Sequence, residues 1–289
     1  MRRWRGSVGR TLRSGCRSGL ALSLLLFPLT ANAQPERRAA LDTFNAANAA
    51  YSAGNYRTAA PLYEQVVAAL PDQPIAYLYL GNCYDHMSLD APRGSQQLID
   101  LLKKAEAAYK TGADKMLATN TPAATRNAVT ILEMQAGLYA PDRLHDTATA
   151  IAVTQHLIRL NPSDPAYEFT LATLEENVEN YDAAESALAK ALELKPNDAH
   201  TLADVAGHYW DIAAHGRRLT YTRETAYLQK GMAFADNALA LDAQNADATA
   251  YKSQLLREQA ALETDRKRKD ALNKEADAWA AKAKALRAK

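Results

Sequence analysis

Among the six histidines, the tightest group is His208 and His215 with Asp211. Spacings of three and four put the three side chains near one helical face, where a zinc site could form. The two histidines are nearly two turns apart, however, roughly 10 Å at 1.5 Å per residue, too long for one ion without a third element. A polar edge is the plainer reading, and no metal is expected. Arg217, Arg218 and Arg223 follow and could bind an anion, although a solvated loop also explains them. Asp85-His86 could be an acid–base pair, but adjacent helix positions point in different directions. Cys83 stands beside Gly81 and Tyr84 and fits a buried, inert thiol. The chain holds no phosphate-cradling glycine loop, nucleophile elbow or Cys-x-x-Cys. Neither a catalytic residue nor a cofactor is expected, and the chain reads as a non-enzyme.

What positions these residues must be helix. Of 289 residues about a fifth are alanine, against 12 Gly and 11 Pro, so helix formers dominate. A 48% apolar content with 34 basic and 33 acidic groups excludes a disordered chain. The first 33 residues carry Arg2, Arg3, Arg5, Arg10, Arg13 and Arg17 and no acid, then the apolar run from Leu20 to Leu29, then Ala31-Asn32-Ala33. This order predicts a cleavable signal peptide over 1–33, cut before Gln34, and a periplasmic or secreted protein. The apolar run is about half the roughly 20 residues a spanning helix needs, so no membrane insertion is expected after cleavage. Residues 34–289 then hold 28 basic and 33 acidic groups and a single cysteine, which excludes an intrachain disulfide.

A period of 34 residues separates Pro162 from Pro196, each closing a helix-like run, and Pro71 closes another. Between these prolines lie Tyr77-x-x-Leu80-Gly81-x-x-Tyr84, the turn Gly54-Asn55-Tyr56 with Ala59 and Tyr63, and the matching Asn180-Tyr181, Ala184, Leu188 and Ala191. Small residues at such positions let two antiparallel helices cross closely, and tyrosines fill the spaces beside them. Each pair then has an apolar side left over, which only the next pair can bury.

These residues resemble the tetratricopeptide repeat. The resemblance implies an all-α, right-handed α-solenoid of five to six stacked helix pairs. Repeats are expected near 40–73, 74–114, 122–164, 165–198 and 199–245, with a degenerate unit at 246–263. Three inserts depart from the pattern: 87–95 before a second helix at 96–109, a loop around Pro141 before one beginning at His145, and about 13 residues before a helix beginning at Gly231. Residues 252–289 hold 11 basic and 6 acidic groups, while 34–251 hold 17 and 27. The end of that tail, 264–289, is expected as a basic capping helix with a stripe of Leu272, Ala276, Trp279, Ala283 and Leu286. It suits self-association, a plug over the acidic body or recruitment of a partner.

The resemblance further implies that first helices line a concave groove. Carried over in register, the contacts are Phe44, Asn48, Tyr51, Leu78, Asn82, Asp85 and His86, then Phe169, Thr173, Glu176, Asn177, Trp210 and Asp211. The position matching the first clamp lysine of some family members is Phe44, which argues against capture of a chaperone tail. An acidic groove with aromatic points predicts a protein or peptide partner, a basic or neutral extended segment, and excludes nucleic acid. The competing reading is a small-molecule or metal carrier, or an enzyme, using the inserts at 87–95 and 210–225.

Overall fold

A computed structural model describes residues 34–288, and the expected signal peptide at 1–33 lies outside them. Twelve α-helices and no strand occur among the described residues. They are α1 (Gln34–Ser52), α2 (Tyr56–Ala69), α3 (Pro74–Leu89), α4 (Gln96–Ala118), α5 (Pro122–Ala136), α6 (Thr147–Leu160), α7 (Pro165–Asn177), α8 (Tyr181–Leu194), α9 (Ala199–His215), α10 (Tyr221–Leu241), α11 (Ala246–Leu262) and α12 (Arg266–Arg287). The fold is an all-α helical repeat of six consecutive helix pairs. The chain forms two compact units, divided between Asn161 and Pro162 and holding three pairs each.

Local chemistry sets the helix ends. Asp146, Asp198, Asn245 and Asp265 each accept a backbone N–H of the first turn at 2.7–3.0 Å, as the orphan amides of a helix start require. Pro74, Pro122 and Pro165 occupy first-turn positions, where the missing N–H costs nothing. Gly54 ends the α1 turn at φ +75°, in the left-handed region that favours glycine.

The small-and-large packing read from the sequence is present in both units. Ala59, Tyr63 and Ala184 are fully buried, and Tyr84 and Tyr181 are nearly so. At Gly81 an added Cβ would sit 2.5 Å from the Tyr109 ring, so this crossing admits only glycine at that separation. The helix limits differ from the sequence reading where the inserts fall. The second helix expected at 96–109 runs on to Ala118, because Ala113 and Met116 keep the apolar period and bury against the unit. The insert before Gly231 is mostly helix: α9 continues to His215, and α10 starts at Tyr221, its first turn capped by Thr220. Only residues 216–220 remain as loop. The basic tail α12 lies antiparallel to α11, with Ser253 Oγ donating to the Ala276 carbonyl at 2.8 Å and Arg287 pairing with Asp247 at 2.8 Å.

Candidate functional site

In the first unit, α1 and α3 present Phe44, Asn48 and Tyr51 and Leu78, Asn82 and Asp85, each set at spacings i, i+4, i+7 that share one helical face. The structure joins the two sets. Asn82 Nδ2 donates to the Tyr51 hydroxyl at 3.3 Å, and Tyr109 of α4 donates to Asn82 Oδ1 at 2.7 Å. Tyr63 of α2 donates to Asn48 Oδ1 at 2.6 Å. Ring contacts fill the space between: Tyr51 meets Tyr79 at 5.1 Å and Tyr63 at 6.5 Å, while Phe44 packs edge-on to Tyr63. Phe44, Leu78 and Asn82 are buried, so their surface is spent on packing; Asn48, Tyr51 and Asp85 are half-buried and His86 is exposed.

Asp85 and His86 do diverge. Arg143, from the turn after α5, pairs with Asp85 and donates to Ser88 Oγ at 3.0 Å. His86 stacks flat on Tyr56, ring centroids 4.2 Å apart at 3°. Cys83 is fully buried, and burial pushes its thiol up to about 12, which keeps it protonated and unreactive. Burial, with Asp85 next in weight, raises the Tyr109 hydroxyl well above its ordinary value, so it stays a hydrogen-bond donor.

In the second unit the matching face is ionic. Phe169, Thr173 and Glu176 share one side of α7, and His208 of α9 bridges to them: its ring stacks on Phe169 at 5.6 Å and its Nδ1 lies 2.7 Å from Glu176 Oε1. Burial pulls the His208 pKa down, but the Glu176 carboxylate, the hydrogen bond to it, and Asp204 and Asp211 outweigh burial and raise it. Asp204 is raised by burial and by Asp247 and Asp198, against the lowering effect of His200 and His208. Asp211 pairs with His215 at 2.9 Å. Trp210 turns toward Tyr251 of α11 at 6.3 Å, and its indole N–H is buried with no hydrogen-bond acceptor. Asn177 ends α7 exposed.

His208, Asp211 and His215 therefore divide between two acceptors instead of converging. No group of three His, Cys, Asp or Glu side chains among the described residues could hold a metal ion. Arg217 and Arg218 lie 3.8 and 3.9 Å from Glu179, and Arg223 reaches Asp182 at 2.6 Å, so the expected cationic loop faces carboxylates of its own unit. A recess of about 460 Å³ between α11 and α12 is lined by four alanines together with Ser253, Gln254, Arg257, Lys284 and Arg287.

Sequence reasoning missed Tyr79, Tyr109, Arg143, His200 and Asp204. Tyr109 and Arg143 carried no signal, since their partners lie 27 and 58 residues away. His200 and Asp204 were legible, because the four-residue spacing that singled out Asp211 and His215 also joins them.

Comparison with known proteins agrees with this architecture. Residues 44–87 match the tetratricopeptide repeat family, the segment that holds the α1–α3 network. No curated protein matches the chain. Among solved structures, MamA is 17% identical over 72% of this chain and 93% of its own, at a TM-score of 0.46. YrrB, a TPR protein with an unusual peptide-binding site, is 17% identical over 75% and 93%, at 0.43. A tetratricopeptide repeat protein from Parabacteroides merdae is 13% identical over 86% and 97%, at 0.48. These three scores fall below 0.5, and the fold is read from the helices of this chain. No helix among the described residues is long and apolar enough to cross a membrane.

Proposed function

We propose that this chain is a non-catalytic interaction scaffold that holds an extended, basic or neutral segment of another exported protein along the faces formed by its first helices. The observation that carries the reading is the composition of those faces. Asn48, Tyr51 and Asp85 in the first unit, and Thr173, Asn177 and Asp211 in the second, keep amide, hydroxyl and carboxylate groups partly open at helical spacing. Amides and hydroxyls of this kind match the backbone donors and acceptors of an extended peptide, and rings beside them hold apolar side chains. The segment 210–225, which the competing carrier or enzyme reading would use, is mostly taken up by α9 and α10. Export rests on residues 1–33; we propose cleavage before Gln34, which sequencing the N-terminus of exported protein tests.

Titration with peptides of equal length and opposite charge tests the partner class. Basic or neutral peptides are expected to bind and acidic ones not; a preference for acidic peptides would overturn the reading. Asp211→Lys is the variant to use, because this carboxylate is half-exposed. Glu176 is the wrong target: it is buried against His208, and a cation there would disrupt the α7–α9 joint instead of probing a surface.

A further inference from the structure

The open recess of about 460 Å³ between α11 and α12 takes no part in the groove reading. Each helix lends it one stripe at spacings i, i+3, i+4 and i+7, from Ala250 to Arg257 on α11 and from Ala280 to Arg287 on α12, so it runs for two turns, roughly 10 Å. Four alanines among the lining residues leave the space between the helices unfilled. Cations stand at both ends. Arg257 pairs with Asp277 at 2.7 Å and Arg287 with Asp247 at 2.8 Å, contacts that set the two guanidiniums at opposite ends of this antiparallel pair. Neither aspartate lines the recess, and each accepts from one Nη, which leaves further donors on both guanidiniums. Lys284, also in the lining, makes no ion pair among the described residues.

Between these ends lies a polar atom without a partner. Gln254 lines the recess, and its Oε1 is buried with no hydrogen-bond donor. The neighbouring Ser253 differs, because its hydroxyl donates to the Ala276 carbonyl at 2.8 Å. A buried acceptor left unsatisfied destabilises the fold, and an apolar side chain of the same length would remove that cost. A hydroxyl from a ligand would remove it too. The charge around the recess selects the rest of such a ligand: residues 252–289 carry 11 basic and 6 acidic groups, so the field over this helix pair favours an anion. The volume falls within the range of small-molecule sites, roughly 300–1,000 Å³.

We propose that the α11–α12 recess binds a small, elongated organic dianion with hydroxyl groups between its charged ends, of the hydroxylated dicarboxylate class. Arg257 takes one carboxylate, and Lys284 with Arg287 takes the other. A ligand hydroxyl donates to Gln254 Oε1, and the carbon chain lies along the alanines. This site shares no residue with the candidate groove and stands whether or not a peptide binds there.

The test uses the full chain and three probes with the same six-carbon chain: glucarate, which has both carboxylates and the hydroxyls, adipate, which lacks the hydroxyls, and gluconate, which lacks one carboxylate. Calorimetry at constant ionic strength is expected to show glucarate binding about tenfold tighter than either of the others, the effect of one added hydrogen bond or one added charge contact. Lys284→Gln is expected to weaken glucarate and adipate alike, by about threefold, with helicity unchanged. Gln254→Met is expected to bring glucarate down to the level of adipate, leave adipate binding as it was, and keep or raise the melting temperature, because the unsatisfied acceptor is gone. Absence of glucarate binding, or equal affinity for glucarate and adipate in the parent, overturns the site. A Gln254→Met protein that melts lower and loses both ligands shows an amide that holds the fold, which also overturns it. Displacement of glucarate by a Glu-Ala peptide would make the recess a peptide site and overturn the ligand class.

Discussion

The two units place comparable stripes on their first helices and tie them with different chemistry. Residues 34–161 hold 11 basic and 12 acidic groups, and their face is joined mostly by neutral groups, tyrosine hydroxyls on Asn48 and Asn82 and rings against rings, with one ion pair, Arg143 on Asp85. Residues 162–289 hold 17 basic and 21 acidic groups, and their face is joined by His208 on Glu176, with Asp204 and Asp211 beside it. Neutral hydrogen bonds set shape and change little between pH 5 and 8, whereas buried ionic ones couple shape to proton concentration. One repeat architecture thus carries a face tied mostly by neutral groups and a face tied by a buried histidine–carboxylate pair.

The largest expected effect that sharpens this contrast is in the neutral unit. Tyr109→Ala removes a fully buried ring that both fills the space beside Gly81 and donates to Asn82, and is expected to cost about 3–5 kcal/mol by denaturant unfolding. Tyr109→Phe keeps the ring and leaves Asn82 Oδ1 without that donor, costing about 1–3 kcal/mol at any pH between 5.5 and 8. A cost that varied with pH would break the distinction between the units.

In the ionic unit, Gly207→Ala would drive a Cβ to 2.5 Å from the Tyr251 ring, so about 1–3 kcal/mol is expected, with a shift in tryptophan fluorescence as Tyr251 moves against Trp210. His208→Gln is expected to behave differently. The His208 pKa is raised in the folded state, so its stabilising contribution is complete below the ordinary histidine value, about 6.5, and is lost as pH rises through the folded value. The variant is therefore less stable than the parent by about 1–2 kcal/mol near pH 6, and the gap narrows toward pH 9, as melting temperatures at the two pH values will show. A gap that widened with pH would reverse the sign and sink the assignment.

The smallest effect is chemical silence. In a Cys16→Ser background, Cys83 is expected to be inert to a thiol reagent near pH 8 in the native protein, and Tyr109→Ala to speed its reaction by opening the first unit. Rapid labelling of the native parent would contradict the burial of this thiol.

Much of the fold was legible because helix pairing leaves local marks. The pattern of Gly81, Ala59 and Ala184 with Tyr63, Tyr84 and Tyr181 marked close crossings, and residues 44–87 carry it clearly enough to match the repeat family. The inserts were less legible, since α4 continues through Gly112, which by propensity alone marks a stop, and α10 through threonine-bearing turns that look alike whether helical or looped. Of the candidate face, the stripe positions were readable, but their exposure was not. Phe44, Leu78 and Phe169 occupy the expected register and are buried by neighbours from other helices.

By itself, then, the sequence determined the helical class, the pairing of helices and the residue types brought to each face, because periodicity and side-chain size act over one or two turns. Only tertiary structure decided which polar group meets which: Asn82 with Tyr109, Asp85 with Arg143, Glu176 with His208, at separations of 27, 58 and 32 residues. A hydrogen bond forms only within about 3 Å and with directed geometry, and that condition is met by the packing of distant helices, which no local pattern encodes.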